Sequence, residues 1–167
     1  MKKSIQILLS ILVLFSACKE DEIMVDPCTL DEFLNLSNCN TAEPNDSNEV
    51  AEIFKIVQLM PAYPGCDSIF NSADRINCND EKIADFVKEN LIYPQSAIDN
   101  NIEGTVVASF IVNKNGCLKW FKIITSVECE IDREALRILS LMPDWHPGKQ
   151  RDNPVKVQYN VQIEFKL

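Results

Sequence analysis

From Val155 to Leu167 apolar and polar residues alternate without a break: Val155, Val157, Tyr159, Val161, Ile163, Phe165 and Leu167 against Lys156, Gln158, Asn160, Gln162, Glu164 and Lys166. Side chains on a β-strand point alternately to opposite faces, so this pattern predicts one long strand with one face buried and the other in water. A chain that ends in this way needs a sheet for the strand to join and a layer to cover its apolar side.

The preceding segments supply both. Thr105–Asn113 (TVVASFIVN) and Leu118–Thr125 are rich in β-branched and aromatic residues, and Asn113-Lys114-Asn115-Gly116 between them supplies an Asn-Gly hairpin turn. Ile83, Phe86, Val87 and Leu91 recur at helical spacing, with Asn79 and Asp80 as candidate caps. Pro94 suits a first helical position, and Gln95–Asn100 can form a short helix that stops near Asn101. Ile131, Ala135, Ile138, Leu139 and Met142 mark one face of a helix that begins near Asp132 and ends before Pro143. The predicted architecture is α+β: a three-stranded antiparallel sheet with two helices packed on one face, preceded by a partly disordered leader. Val50–Met60 is densely apolar and fits strand and helix periods equally, before Pro61 and Pro64-Gly65 end it.

The N-terminus has a different character. Lys2 and Lys3, a largely apolar run from Ile5 to Phe15, and the small residues Ser16 and Ala17 describe a signal peptide ending at Cys18. A run of about 11 residues falls well short of the ~20 that span a bilayer as a helix. Phe15-Ser16-Ala17-Cys18 resembles a lipobox, which implies that Cys18 is diacylated and becomes the first residue of the mature chain. More than one buried alkyl chain, at ~0.8 kcal/mol per methylene, is durable anchoring. The expected location is the cell envelope, on a membrane through the lipid at Cys18, with the outer membrane favoured and its periplasmic or surface face open. Lys19-Glu20-Asp21-Glu22 reads as a solvated tail and also resembles a short acidic signal that sends some bacterial lipoproteins to the cell surface.

The expected organisation is a signal peptide at 1–17, an acidic flexible linker at 18–49, an extended leader segment at 50–82 and a folded domain at 83–167. Residues 18–82 hold 14 acidic and 4 basic side chains, whereas 83–167 hold 11 and 10. Loss of Lys2 and Lys3 takes the net charge from −9 to −11. A surface this acidic repels phosphates, so nucleic acid is an unsuitable partner. The linker has one apolar patch, Leu30, Phe33, Leu34 and Leu36, whose spacing fits a brief helical turn that Cys28–Cys39 would close. As a flexible coil the ~30 residues behind the anchor span roughly 30 Å root-mean-square, and at most ~100 Å when stretched.

Beyond Cys18 six cysteines remain, Cys28, Cys39, Cys66, Cys78, Cys117 and Cys129. An even set in an exported chain points to disulfides, with 15 connectivities open. Cys117–Cys129 is a doubtful pair, because the strand between them would carry its ends too far apart. A metal site is not expected: there is no C-x-x-C and His146 is the one histidine. No cofactor motif and no nucleophile or acid–base pair stands out, so the chain is read as a non-enzyme without catalytic residues. Glu128/Glu130 and Asp132/Glu134 suit the acidic first turn of a helix.

Several of these segments match a family. Leu91-Ile92-Tyr93-Pro94-x-x-Ala97, Ile102-Glu103-Gly104-Thr105-Val106, the Asn115-Gly116 turn, Glu134-Ala135-Leu136-Arg137, and Met142-Pro143-x-Trp145-x-Pro147-Gly148-Lys149-Gln150-Arg151-x-x-Pro154-Val155 fall in order across residues 83–167. Together they resemble a TonB C-terminal domain. Tyr93, Pro94, Gly104, Trp145, Pro147 and Gly148 are its fold markers. Gly104 is expected to take a backbone conformation closed to other residues, and Trp145 to cover one end of the sheet. Met60-Pro61-x-Tyr63-Pro64-Gly65-Cys66 resembles the segment that precedes this domain in relatives, some of which carry a cysteine pair here. That resemblance favours Cys66–Cys78.

The resemblance also implies a function. In the family an extended receptor peptide adds as a strand to the exposed edge of the last strand. Carried onto this chain, the edge is Val157, Gln158, Tyr159, Asn160, Val161, Gln162 and Ile163, within Val157–Phe165. The expected partner is a TonB-dependent outer-membrane receptor or another envelope protein, in transmembrane nutrient transport. The alternative is a structural or surface-interaction lipoprotein that reuses the fold without transducing energy. So open a sheet also allows a homodimer. Two features depart from energy transducers of this family: a cleavable signal stands in place of a transmembrane helix, and the leader has few prolines.

Overall fold

A computed structural model describes residues 52–167. The expectations for the signal peptide, Cys18, the acidic linker and the Leu30–Leu36 patch lie outside the described residues. The elements run β1 (Ile53–Phe54), α1 (Ser72–Asn90), α2 (Gln95–Asp99), β2 (Gly104–Val112), β3 (Leu118–Thr125), α3 (Cys129–Ser140), β4 (Lys149–Gln150), β5 (Asn153–Pro154) and β6 (Lys156–Phe165).

The alternating C-terminal segment forms β6, and its apolar side chains Val157, Tyr159, Val161, Ile163 and Phe165 are buried while Asn160, Gln162 and Glu164 are exposed. It lies antiparallel to β2 over nine residue pairs, from Gly104↔Phe165 to Val112↔Val157. The β2–β3 hairpin closes through Gly116, whose φ of +91° suits glycine. A Cβ there would also stand 1.9 Å from the Trp145 carbonyl oxygen. Asn115 does not take a positive φ; the Asn113 N–H donates to Cys117 O and the Gly116 N–H to Asn113 O, both at 2.9 Å, so a three-residue loop, Lys114 to Gly116, joins the strands in place of a two-residue Asn-Gly turn.

The sheet departs from the three-stranded antiparallel expectation. It is four-stranded and mixed, in the order β1-β6-β2-β3, because Ile53 and Phe54 pair in parallel with Lys156 and Val157. Two residues carry no readable alternation, and their place is set by backbone hydrogen bonds to a distant strand. A separate small hairpin, β4–β5, links α3 to β6. The chain after β1 holds to this connection: Leu59 and Lys149 exchange N–H···O bonds of 3.1 and 2.8 Å, and Ala62 and His146 bonds of 3.0 and 2.8 Å.

The helices cover the apolar face. α3 buries Ile131, Ala135, Leu136, Ile138 and Leu139. It begins at Cys129, earlier than its apolar pattern signals, because the Glu128 carboxylate accepts the Glu130 N–H at 3.0 Å and Asp132 accepts the Val127 N–H at 3.1 Å. α1 begins at Ser72, far ahead of Ile83. Its cap is Asn71, which accepts from Ala73 N (2.8 Å) and Asp74 N (3.2 Å), and not Asn79 or Asp80. The inward positions of its first half are Arg75 and Asn79, so apolar periodicity is silent there. Residues 72–82 are therefore helical, not extended.

Candidate partner-binding edge

One long side of β6 is paired with β2 from Val157 to Phe165. On the other side β1 covers only Lys156 and Val157. Val157 is thus a paired position rather than an open one, and among the described residues the unpaired stretch runs from Gln158 to Phe165. Of the expected edge residues, Tyr159, Val161 and Ile163 turn their side chains into the core, and Gln158, Asn160 and Gln162 face away from it. What such an edge offers a partner is its backbone N–H and C=O groups.

α1 lines this edge. A groove between helix and strand is walled by Ile76 and Asp80 beside Gln158, Tyr159 and Asn160, then by Ile83 and Ala84 beside Asn160, Val161 and Gln162, then by Val87 and Lys88 beside Gln162, Ile163 and Glu164. Small and aliphatic side chains form the middle of the helix wall. Charge of both signs marks the ends, with Lys55 and Asp80 at one and Lys88 and Glu164 at the other.

The wall is positioned by polar anchors. Asn79 is fully buried; its Nδ2 donates to Pro61 O at 2.9 Å and its Oδ1 accepts from Tyr63 N at 2.8 Å. The buried Arg75 guanidinium donates to the carbonyls of Ile69 (2.6 Å), Met60 (3.0 Å) and Asp67 (2.9 Å), and burial holds its pKa down. A disulfide joins Cys66 to Cys78, S–S 1.95 Å and Cα–Cα 6.0 Å. At the groove end the Tyr159 hydroxyl lies 3.4 Å from both Asn79 Nδ2 and Asp80 Oδ1. Burial, with the Asp80 carboxylate adding to it, pushes the phenol up to about 12, and burial also raises Asp80.

The other end of α1 is held by α3. Arg137 chelates the Glu134 carboxylate (2.6 and 2.7 Å) and donates to Asn90 O at 2.6 Å, while Glu134 accepts the Ile92 N–H at 2.7 Å. The hydrogen bond to Glu134 raises the Arg137 pKa.

Of the fold markers, Tyr93, Gly104, Trp145 and Gly148 serve packing. The Tyr93 hydroxyl donates to Ile102 O at 2.6 Å, and its ring meets Phe165 edge-on at 5.9 Å. Pro94 occupies the N-cap of α2, one place before the first helical position. Gly104 is needed for space and not for an unusual φ, since a Cβ would stand 2.8 Å from Val127 Cγ2. Gly148 is similar, with Val157 Cγ2 at 2.6 Å. Trp145 is buried, edge-on to Tyr63, Phe110 and Tyr159 with centroids 5.6, 5.4 and 5.0 Å apart. Pro147 follows His146, whose backbone bridges to Ala62; its Nε2 lies 3.8 Å from the exposed Asp67. Among the described residues no group of His, Cys, Asp and Glu could hold a metal ion, and no helix is long and apolar enough to cross a membrane.

Sequence reasoning missed Asp80, Ile83, Ala84 and Val87 as groove residues. Their i, i+3, i+4 and i+7 spacing places them on one helix face, but only the packing of α1 along β6 turns that face toward the edge.

Among curated proteins none matches the chain. Two solution structures of the Helicobacter pylori TonB C-terminal domain, residues 194–285 and 179–285, are similar at 22% identity and a TM-score of 0.38, covering 52% of this chain and 94% and 80% of theirs. Residues 89–167 match the model of the Gram-negative bacterial TonB protein C-terminal family.

Proposed function

We propose that this protein is a TonB-like envelope lipoprotein, lipid-anchored at Cys18, that binds an extended segment of a partner by strand addition to Gln158–Phe165. The observation that carries the reading is the unpaired side of β6 lying open to the groove along α1. A strand laid there completes backbone hydrogen bonds and sends alternate side chains toward Ile83, Ala84 and Val87, where small or aliphatic residues fit. The family points to a TonB-dependent receptor as partner and to nutrient transport as the process. Binding and not catalysis is the activity. A lipid anchor gives no helix contact with an inner-membrane motor, so binding is separable from force transmission.

The test is a titration of the mature chain with peptides from the periplasmic N-termini of its own organism's receptors, followed by amide NMR. The expected result is shifts and slowed hydrogen exchange confined to Gln158–Phe165 and the facing turns of α1. Peptides that leave those amides unchanged at millimolar concentration overturn strand addition. The acidic Lys19-Glu20-Asp21-Glu22 stretch favours a second reading, a surface-interaction lipoprotein. Digestion of the domain by protease added to intact cells selects it, because a surface-facing domain does not meet a receptor's periplasmic end.

A further inference from the structure

Cys117 and Cys129 are both disulfide-bonded, yet the fold keeps them apart. Cys117 sits at the hairpin end of the sheet, where its carbonyl accepts the Asn113 N–H at 2.9 Å. Cys129 opens α3, two residues after Val127, and Val127 packs at the opposite end, within 2.8 Å of a Cβ on Gly104. β2 runs from Gly104 to Val112, so Gly104 and Asn113 are about 30 Å apart at ~3.3 Å per residue. With every intervening link stretched toward closure, the two cysteine Cα atoms still stay roughly 10 Å apart, and a disulfide bridges at most about 7 Å. They do not bond one another. Cys66 and Cys78 hold each other. The cysteines left are Cys18, Cys28 and Cys39, and Cys18 is the one whose sulfur a lipid would occupy.

We infer that Cys28 and Cys39 form disulfides with Cys117 and Cys129, strapping the segment between them along β3. Their 11-residue separation reaches up to ~40 Å, enough to join the two ends of the strand. Each bridge forms by thiol–disulfide exchange: two cysteine thiols lose two protons and two electrons, and a disulfide-carrying oxidant of the exported compartment becomes a dithiol.

The location gives the strap a role. β3 is the other edge of the sheet, and its two register shifts place Trp120 (φ +55°) and Ile124 out of pairing with β2, both 51% exposed. Leu30, Phe33, Leu34 and Leu36 lie between the two leader cysteines and bring apolar surface to that strand. An edge strapped in this way is protected from foreign strands, which leaves β6 as the edge for a partner. The choice of Cys28 and Cys39 over Cys18 rests on the proposed lipid anchor, and a second consequence rests on it too. With Cys28 fixed to the domain, the free tether is Lys19–Pro27, which reaches at most ~35 Å instead of ~100 Å.

Disulfide mapping of the non-reduced mature chain tests the inference. Trypsin cuts between Cys117 and Cys129 at Lys119 and Lys122, and an Asp/Glu-specific protease cuts between Cys28 and Cys39 at Asp31 and Glu32. The expected products join a Cys28 or Cys39 fragment to a Cys117 or Cys129 fragment, and show which pairs with which. Cys28 linked to Cys39 and Cys117 linked to Cys129 overturns the strap. In a Cys28→Ser/Cys39→Ser variant, maleimide labelling of the monomer is expected to gain two thiols, at Cys117 and Cys129. A gain of none overturns it independently of receptor binding.

Discussion

α1 and α3 cover the same face of one sheet, and they are held there by different physics. α3 inserts Ile131, Ala135, Ile138 and Leu139 into the core, a non-directional contact proportional to apolar area. The N-terminal half of α1 is fixed instead by directional bonds: Arg75 to three carbonyls, Asn79 to two backbone groups, and the Cys66–Cys78 bridge. An apolar helix face tolerates small shifts, whereas a buried amide with two backbone partners admits one position. The helix that lines the proposed binding edge is therefore the more rigidly placed of the two, and it is placed through the leader segment.

The comparison can be broken at four points. Leu139→Ala should cost most, about 4 kcal/mol in denaturant unfolding, because a fully buried leucine leaves a cavity; a loss under 1 kcal/mol would mean that α3 is not the core helix. Cys66→Ser/Cys78→Ser should cost roughly 3 kcal/mol for a bridge separated by 12 residues. Hydrogen exchange should then loosen residues 57–82 while β2 and β6 stay protected; uniform loosening would show that leader and sheet fold as one unit. Asn79→Ala should cost about 2 kcal/mol, since the Tyr63 N–H and Pro61 C=O lose a buried partner. That variant should also weaken peptide binding at β6 by displacing the α1 wall, and unchanged affinity would separate the wall from the site.

The smallest effect is expected at Asp80. Burial raises its folded pKa, so the folded state holds this proton more tightly than the unfolded chain. The group therefore lowers stability at neutral pH, and this penalty disappears as pH falls through the folded pKa toward 3.8. Asp80→Asn should raise Tm slightly at pH 7 and leave it unchanged near pH 3. A gain that persists at pH 3 would assign the effect to packing rather than charge.

The alternation at Val155–Leu167, the β-rich runs at 105–113 and 118–125, and the apolar face of α3 were legible because each element buries one continuous apolar stripe. α1 was half legible, from Ile83 onward, since its earlier inward positions are Arg75 and Asn79 and a buried polar residue looks like a surface one in sequence. β1 was illegible at two residues. The sequence points to Gly104 for its φ, but what requires it is the Val127 side chain, a neighbour 23 positions away. The Cys66–Cys78 pair came from family resemblance, because spacing alone leaves many connectivities open.

By itself the sequence determined the α+β class, the hairpin, the buried face of β6 and the family resemblance, all of which follow from local periodicity and ordered motifs. Only the tertiary structure decided that β1 closes the first two positions of β6 and that α1 lines the remaining edge. Those are facts about long-range pairing, fixed by backbone hydrogen bonds and buried polar contacts between residues far apart in the chain, and such contacts leave no periodic trace in a sequence.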